Sequence, residues 1–310
     1  SRVVFIDNNF YGNDRQYFID RLELFKELRK DGYMGDWAAL VTNDFFFRPE
    51  NLKLAKEAGC IFLFSGVESF NNEWLESINK KQNTKMSQVD MIRLCYENGI
   101  LFFYGYMFDL TSRPISELRE EIEFMLSNPE IPMPSYFSVI VPILGTKFFY
   151  ESLEKKLILP NTKLRDLDST TLSLKPQDST EEALKFIYDI QTLRGYKTKL
   201  IIHELKFIKR YWKHLSLLQM FLIISNSINI SMQNQPSLKF FIDLFKSRNS
   251  KRTHLSCTEP LDELYTPAFP VDSKYQDYFR PIMITDKNGC LSKDIEEDVL
   301  GLYGKFKKAS

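Results

Sequence analysis

Histidine and cysteine are scarce in this 310-residue chain, at three and four residues. Cys60, Cys95, Cys257 and Cys290 form no CxxC or CxxxC pair, so the local spacing of a zinc or iron–sulfur loop is missing. No secretory pattern opens the chain, and free thiols in a reducing cytoplasm are the expectation. His203 and His214 lie eleven residues apart, not the four of a helical metal pair, and with His254 they read as structural or solvated. There is no GxGxxG and no GxxxxGK[ST], which removes the usual glycine cradles for phosphate. A Ser-His-Asp arrangement is excluded because no histidine stands near a predicted strand end. Neither sign of charge dominates. Lys+Arg and Asp+Glu are 41 each, so the basic excess that a nucleic-acid partner favours is absent. No apolar run reaches the roughly 18 residues of a spanning helix. The best, residues 217–230, is broken by Gln219, Ser225, Asn226 and Ser227. It reads as a buried helix in preference to one lying on a membrane.

What is present is a globular composition, 44% hydrophobic and 14% aromatic. The chain opens on Ser1 directly before a strand-like run, and it reads as truncated or processed. Short apolar runs at residues 3–6, 37–41, 60–64, 100–104 and 136–141 alternate with amphipathic helical patterns. The runs are continuous, as in parallel strands covered on both faces. Five such units in series predict a doubly wound sheet or a barrel, with the functional edge at the strands' C-terminal ends. Asp7, Asn8, Asn9, Thr42, Asn43, Asp44, Ser65, Glu68 and Asp109 collect there, with Gly66 and Gly105 alongside. Any one of these polar groups could simply cap the next helix. Together, a ring of donors and acceptors suits a zwitterionic ligand that carries sugar hydroxyls. Ser179 and Glu182 form a helix-start pattern, and long helical segments follow to about residue 247. The prolines after 248 predict an irregular tail with a short helix near 293–303. A soft boundary at 176 gives two parts, 1–176 and 177–310.

Six segments, in this order, resemble the radical S-adenosylmethionine (radical SAM) enzymes over residues 3–176. They are Phe5-Ile6-Asp7-Asn8-Asn9-Phe10, Trp37 to Thr42-Asn43-Asp44, Ala58 to Ser65-Gly66-Val67-Glu68-Ser69, Leu75 to Asn79-Lys80, Gly99 through Gly105 to Asp109, and Pro142 to Gly145-Thr146. They are most similar to the branch that often carries a cobalamin-binding domain. The resemblance implies an α/β fold: a partial parallel (β/α) barrel lacking its first strand, followed by a mostly helical C-terminal extension. It implies S-adenosylmethionine (SAM), a [4Fe–4S] cluster and, in that branch, cobalamin as cofactors. It places Asp7, Asn8 and Asn9 at the SAM amino group, and Ser65 and Glu68 at the ribose or methionine moiety. Tyr104, Gly105 and Asp109 fall near the adenine, and Thr42, Val141 and Pro142 stand at further strand ends of the same site. An ammonium needs acceptors, ribose needs a carboxylate or hydroxyl, and adenine needs an apolar slot.

The three cysteines of the family's CxxxCxxC loop are not in this chain, and Cys60 and Cys95 fall inside a strand and a helix. The chain as given is therefore expected to be inactive alone. It would be part of a cytoplasmic enzyme that cleaves SAM reductively to start radical chemistry, as a methyltransferase or cyclase, on a small-molecule substrate. The full-length enzyme would need an electron donor and no transmembrane segment. The alternatives are a non-catalytic relic barrel serving as scaffold or partner subunit, and a metal-dependent hydrolase using Asp7, Asp44, Glu68 and Asp109.

Overall fold

A computed structural model of the chain describes residues 2–80, 83–159, 162, 166–167, 169, 171–191, 193–233 and 273. The predicted tail helix, Cys257, Cys290 and His254 lie outside the described residues. The elements in order are β1 (Val3–Phe5), α1 (Arg15–Lys30), β2 (Trp37–Leu40), α2 (Glu50–Glu57), β3 (Cys60–Glu68), α3 (Asn72–Ser77), α4 (Gln88–Glu97), β4 (Leu101–Phe108), α5 (Ile115–Ser127) and β5 (Tyr136–Val139). Four more helices follow: α6 (Lys147–Glu154), α7 (Thr180–Gln191), α8 (Lys197–Tyr211) and α9 (Leu217–Gln233).

The five strands form one sheet in the order β1-β2-β3-β4-β5, an α/β partial barrel. Pairing is parallel, with Val3 beside Trp37, Leu40 beside Phe64, and Gly66 beside Gly105. A parallel neighbour requires a crossover between strands, and the amphipathic helices supply it. In α1 the Asp14 side chain accepts from the Tyr17 N–H, and Phe18, Leu22 and Phe25 recur on the buried side. Because every strand runs the same way, the C-terminal ends of β1, β2 and β3 lie along one edge.

Two compact units are distinguished. The first contains residues 2–107, 119–137 and 193–233. Its centre is an aromatic cluster: Phe5 stacks on Phe25 at 5.2 Å, and Phe10 lies 5.0 Å from Trp37. Such pairs add about 0.5–1.5 kcal/mol each beyond area burial. The second contains residues 108–118 and 138–191. There Phe149, Ile158 and Leu174 form a core, and Phe108 meets Phe186 edge-on at 5.1 Å.

The continuous apolar runs led us to expect both sheet faces to be covered. In β3 and β4 the faces differ. Leu63, Ser65 and Val67, with Phe102, Tyr104 and Tyr106, are buried, whereas Phe62, Phe64 and Phe103 on the other face are half-buried. Aromatic contact on that second face explains the apolar sequence there, with Phe62 and Phe103 at 5.3 Å and Phe64 stacked on Tyr136 at 6.0 Å. Both strands also run further than expected, through Glu68 and Phe108. Gly66 and Gly105 are paired near the ends of these strands.

At the opposite end of β3 and β4, Gln219 of α9 donates from Nε2 to the carbonyls of Ile61 (3.0 Å) and Gly99 (2.8 Å). Lys56 Nζ also donates to Gly99 at 2.5 Å. Gln219 and Ile223 are buried while Leu217, Phe221 and Ile224 are exposed. The 217–230 run is thus one-sided where a buried helix was expected, because Gln219 faces the strand ends and its neighbours face water.

Glu204 on α8 is largely buried, and burial pushes its carboxyl up to about 7, with Ser227 pulling the other way. The protonated form is favoured in the folded state. Between the ordinary carboxyl range and pH 7 the folded chain holds a proton that the unfolded chain releases, so stability falls as pH rises through this window. Glu204→Gln should remove that slope and stabilise the protein at pH 8 by about 2–3 kcal/mol. Urea unfolding at pH 5 and pH 8 checks this. An unchanged slope in the variant would contradict it.

Candidate functional site

The first unit's strand edge is built around the exit of β3. The β3–β4 register shifts between Gly66 and Glu68, so Glu68 pairs with Tyr106 after an extra residue, Val67. Such bulges bend a strand and re-aim its side chains. Glu68 itself adopts φ +66, rare for a residue with a side chain. The Ser69 N–H donates to Val67 O at 2.8 Å across it, closing a three-residue γ-turn. The turn folds the Glu68 carboxylate back over its own strand. A Cβ on Gly66 would sit 2.6 Å from Glu68 Oε1, so glycine there makes room for that carboxylate. Gly105 likewise makes room for Tyr136, whose ring would lie 2.5 Å from an added Cβ. Both glycines therefore admit side chains of this chain itself. Lys80 Nζ stands 3.4 Å from Glu68 Oε1. Burial, then the Glu68 charge, pushes the Tyr136 phenol above its ordinary range.

A buried carboxylate holds the turn from beneath. Glu121 on α5 accepts from Ser69 Oγ (2.9 Å to each oxygen), the Phe70 N–H (3.0 Å) and the Tyr106 hydroxyl (2.5 Å). A carboxyl group is tolerated in a buried position when its oxygens are hydrogen-bonded in this way. Its donors come from the β3 exit and from β4, so one side chain ties α5 to both strands.

A second buried polar chain runs on the helix-covered face. Ser65 Oγ donates to Asn43 Oδ1 (2.9 Å) and Asn43 Nδ2 donates to Gln88 Oε1 (3.4 Å). Gln88 Nε2 donates to Asn83 O (2.8 Å), and Asn83 Nδ2 returns to Gly66 O (2.9 Å). Ser65, Asn43, Gln88 and Asn83 are all buried. Tyr104 is on the same face, and its hydroxyl donates to Pro132 O at 2.8 Å.

The expected ligand-binding residues therefore separate. Glu68 and Gly105 lie on the half-open face of the sheet. Ser65 and Tyr104 point beneath it, into the helix layer. Asp7 and Asn8 are exposed beyond β1. Asn9 Oδ1 accepts from the N–H groups of Tyr11 (3.2 Å) and Thr42 (3.4 Å), joining the β1 and β2 exits. Thr42 Oγ1 donates to Asp44. The Arg21 guanidinium lies over the Phe10 ring at 3.8 Å; burial lowers its pKa, while the Asp7 charge opposes that shift. Asp109, Val141 and Pro142 belong to the second unit. There Asp109 Oδ1 accepts from the N–H groups of Thr111 (3.0 Å) and Ser112 (3.1 Å), and the Asp109, Val141 and Pro142 side chains are buried. Glu121, Asn83, Gln88 and Tyr136 were not among the expected residues. Glu121 sits in Arg-Glu-Glu-Ile-Glu, which reads as a solvated helix face, and nothing local marks it out.

Cys60 and Cys95 are buried free thiols, and burial pushes both pKa values far above the ordinary range. Neither has the character of a cluster ligand. Among the described residues, no three His, Cys, Asp or Glu side chains gather where they could hold a metal ion.

No protein-family model matches the chain. Three curated proteins are similar to it in sequence. Bacteriochlorophyllide d C-12(1)-methyltransferase of Chlorobaculum tepidum is 26% identical over 155 residues, covering 50% of this chain and 32% of that protein. Bacteriochlorophyllide d C-8(2)-methyltransferase of the same organism is 28% identical over 123 residues, covering 39% and 27%. Hopanoid C-2 methylase of Rhodopseudomonas palustris is 26% identical over 213 residues, covering 64% and 39%. The matched stretch spans about a third of each relative. Among solved structures, the cobalamin-dependent S-adenosylmethionine radical enzyme OxsB overlaps 50% of this chain and 22% of its own, at 21% identity and TM-score 0.35. The radical S-adenosylmethionine methyltransferase TsrM from Kitasatospora setae overlaps 52% and 32%, at 17% identity and TM-score 0.41.

Glu121→Ala should lower the unfolding free energy by about 2–4 kcal/mol, because the buried Ser69 and Tyr106 hydroxyls and the half-buried Phe70 N–H lose their acceptor. Glu68→Ala, which loses a partly exposed ion pair with Lys80, should cost less than about 1 kcal/mol. Urea denaturation of the two variants checks the order, and equal costs would contradict it.

Proposed function

We propose that this chain is part of a radical SAM methyltransferase and that its sheet edge at Asp7, Asn8, Thr42 and Glu68 binds S-adenosylmethionine. The observation that carries this reading is the sequence similarity to three enzymes named as methyltransferases or a methylase, over 39–64% of the chain. The geometry at β3 supports it. A bulge and a γ-turn hold Glu68 in a costly conformation, and such outliers concentrate at ligand sites. SAM carries an ammonium and a sulfonium, and both favour a carboxylate-rich edge. Asp7 and Asn8 supply acceptors for the ammonium, and Glu68 supplies a carboxylate for the ribose or the methionine moiety. Lys80 holds the Glu68 carboxylate until a cationic ligand replaces it. Ser65 and Tyr104 act through position, since their hydroxyls are committed beneath the sheet. The half-open aromatic face of Phe64 and Tyr136 offers apolar surface to an organic methyl acceptor, in keeping with the bacteriochlorophyllide and hopanoid in the relatives' names.

When bound, the [4Fe–4S] cluster of this enzyme class supplies the electron that cleaves SAM. The described residues do not supply its ligands, and no step is assigned to them through it. Their part is to bind and orient SAM and to keep the β3 turn rigid.

The test uses the full-length protein, reconstituted anaerobically with iron and sulfide, with and without cobalamin. Isothermal titration should detect SAM binding. Asp7→Asn and Glu68→Gln should each weaken it by about tenfold, the size of one charge-assisted hydrogen bond. Ser65→Ala should leave affinity within about twofold while lowering stability by about 1 kcal/mol. A protein that neither binds nor consumes SAM would overturn the reading.

A further inference from the structure

Helices α8 and α9 carry an apolar surface that the reading above does not use. Ile201, Leu205, Ile208 and Trp212 recur at spacings of four, three and four residues, which sets them on one stripe of α8 and its C-cap. Ile201, Leu205 and Trp212 are 62%, 65% and 55% exposed. One residue further along, the same spacing gives an adjacent stripe of Ile202, Lys206, Lys209 and Lys213, all exposed. On α9, Leu217, Phe221 and Ile224 follow the same rule and are 83%, 64% and 45% exposed. The opposite sides are fully used, with Leu200, His203 and Phe207 buried on α8 and Gln219 and Ile223 on α9. The exposed residues are therefore a second apolar face and not the fringe of the core.

The charge around that face has one sign. Residues 197–233 hold six Lys and Arg and a single acid, Glu204, which is turned inward. Lys199 and Arg210 pair with Glu123 and Glu130. Lys206, Lys209 and Lys213 have no carboxylate partner among the described residues, and Lys213 lies 5.9 Å from the Trp212 ring centre. A stripe of Ile, Leu and Trp bordered by lysines is the pattern of a helix lying in a lipid interface. There the rings sit at headgroup depth and the lysine stems reach up to phosphate. No helix among the described residues is long and apolar enough to cross a membrane, so the geometry is one of lying on the surface.

We propose that α8 and α9 dock this protein on an anionic phospholipid surface, with Leu205, Trp212 and Phe221 entering the headgroup boundary and Lys206, Lys209 and Lys213 meeting lipid phosphates. A bilayer fits better than a protein groove because the apolar residues run along two successive helices while every free charge beside them is positive. This inference is independent of the SAM reading.

The test is co-sedimentation of the full chain with vesicles of phosphatidylcholine alone and with about one third phosphatidylglycerol. Binding is expected to the anionic vesicles and to weaken as salt rises. Trp37 and Trp74 are buried, at 1% and 5% exposure, so a blue shift of tryptophan emission on binding reports Trp212. Leu205→Glu with Phe221→Glu should abolish the blue shift and lower binding by about tenfold or more. Reversing the three lysines to glutamate should do the same through charge. Both variants should melt with the parent, since the altered side chains are exposed. Three outcomes would each overturn the proposal: no binding to either vesicle, binding indifferent to the apolar variant, or a marked loss of thermal stability in that variant, which would mean that protein covers the stripe.

Discussion

Parallel pairing of consecutive strands is the constraint on which the rest of this molecule depends. It sends the ends of β1, β2 and β3 to one edge, and it is kept by ladder bonds and by the helices that connect the strands. If β1, β2 or β3 reversed, Asp7, Thr42 and Glu68 would no longer share an edge. Antiparallel neighbours can be joined by a tight turn, but parallel ones need a long return, and that return supplies the helix layer that buries Phe18, Leu22 and Phe25. The same directionality leaves the starts of β3 and β4 at the opposite end, where Gln219 and Lys56 satisfy the carbonyls of Ile61 and Gly99.

Within that frame, polar burial does the finer positioning. Glu121 and the Ser65–Asn43–Gln88–Asn83 chain lie under the sheet, where unmatched polar atoms are costly and matched ones rigidify. Both networks contact the last residues of β3. The first holds Ser69 and Phe70 just beyond Glu68, and the second holds the carbonyls of Gly66 and Val67 just before it. A residue with φ +66 is thereby clamped on each side. Glu68 is presented to the half-open face by side chains that never reach that face.

The two faces of the first unit divide the work. The sheet edge is acidic and rigid, suited to a cationic cofactor. The α8–α9 surface is apolar and basic, suited to a lipid headgroup layer.

The strands and the helical returns were legible in the sequence, because apolar runs of four to six residues alternate with amphipathic periods; that pattern left a doubly wound sheet and a barrel open, and the family resemblance pointed to the barrel order. The polar residues near strand exits were legible for the same reason, since Asp7 to Asn9 and Thr42 to Asp44 directly follow such runs. What the sequence could not settle was the direction of individual side chains. Ser65 and Glu68 are three residues apart on one strand and so face opposite sides, but only the packed helix layer decides that the Ser65 side is buried and the Glu68 side half-open. Gly66 and Gly105 suggested close approach by a ligand, and it was the fold that filled those spaces with Glu68 and Tyr136. Glu121 was one glutamate among several on α5 until tertiary contact set it beneath Ser69 and Tyr106. Local periodicity fixes which elements form and in what order. Which polar group meets which depends on register and burial, and these exist only once distant segments have come together.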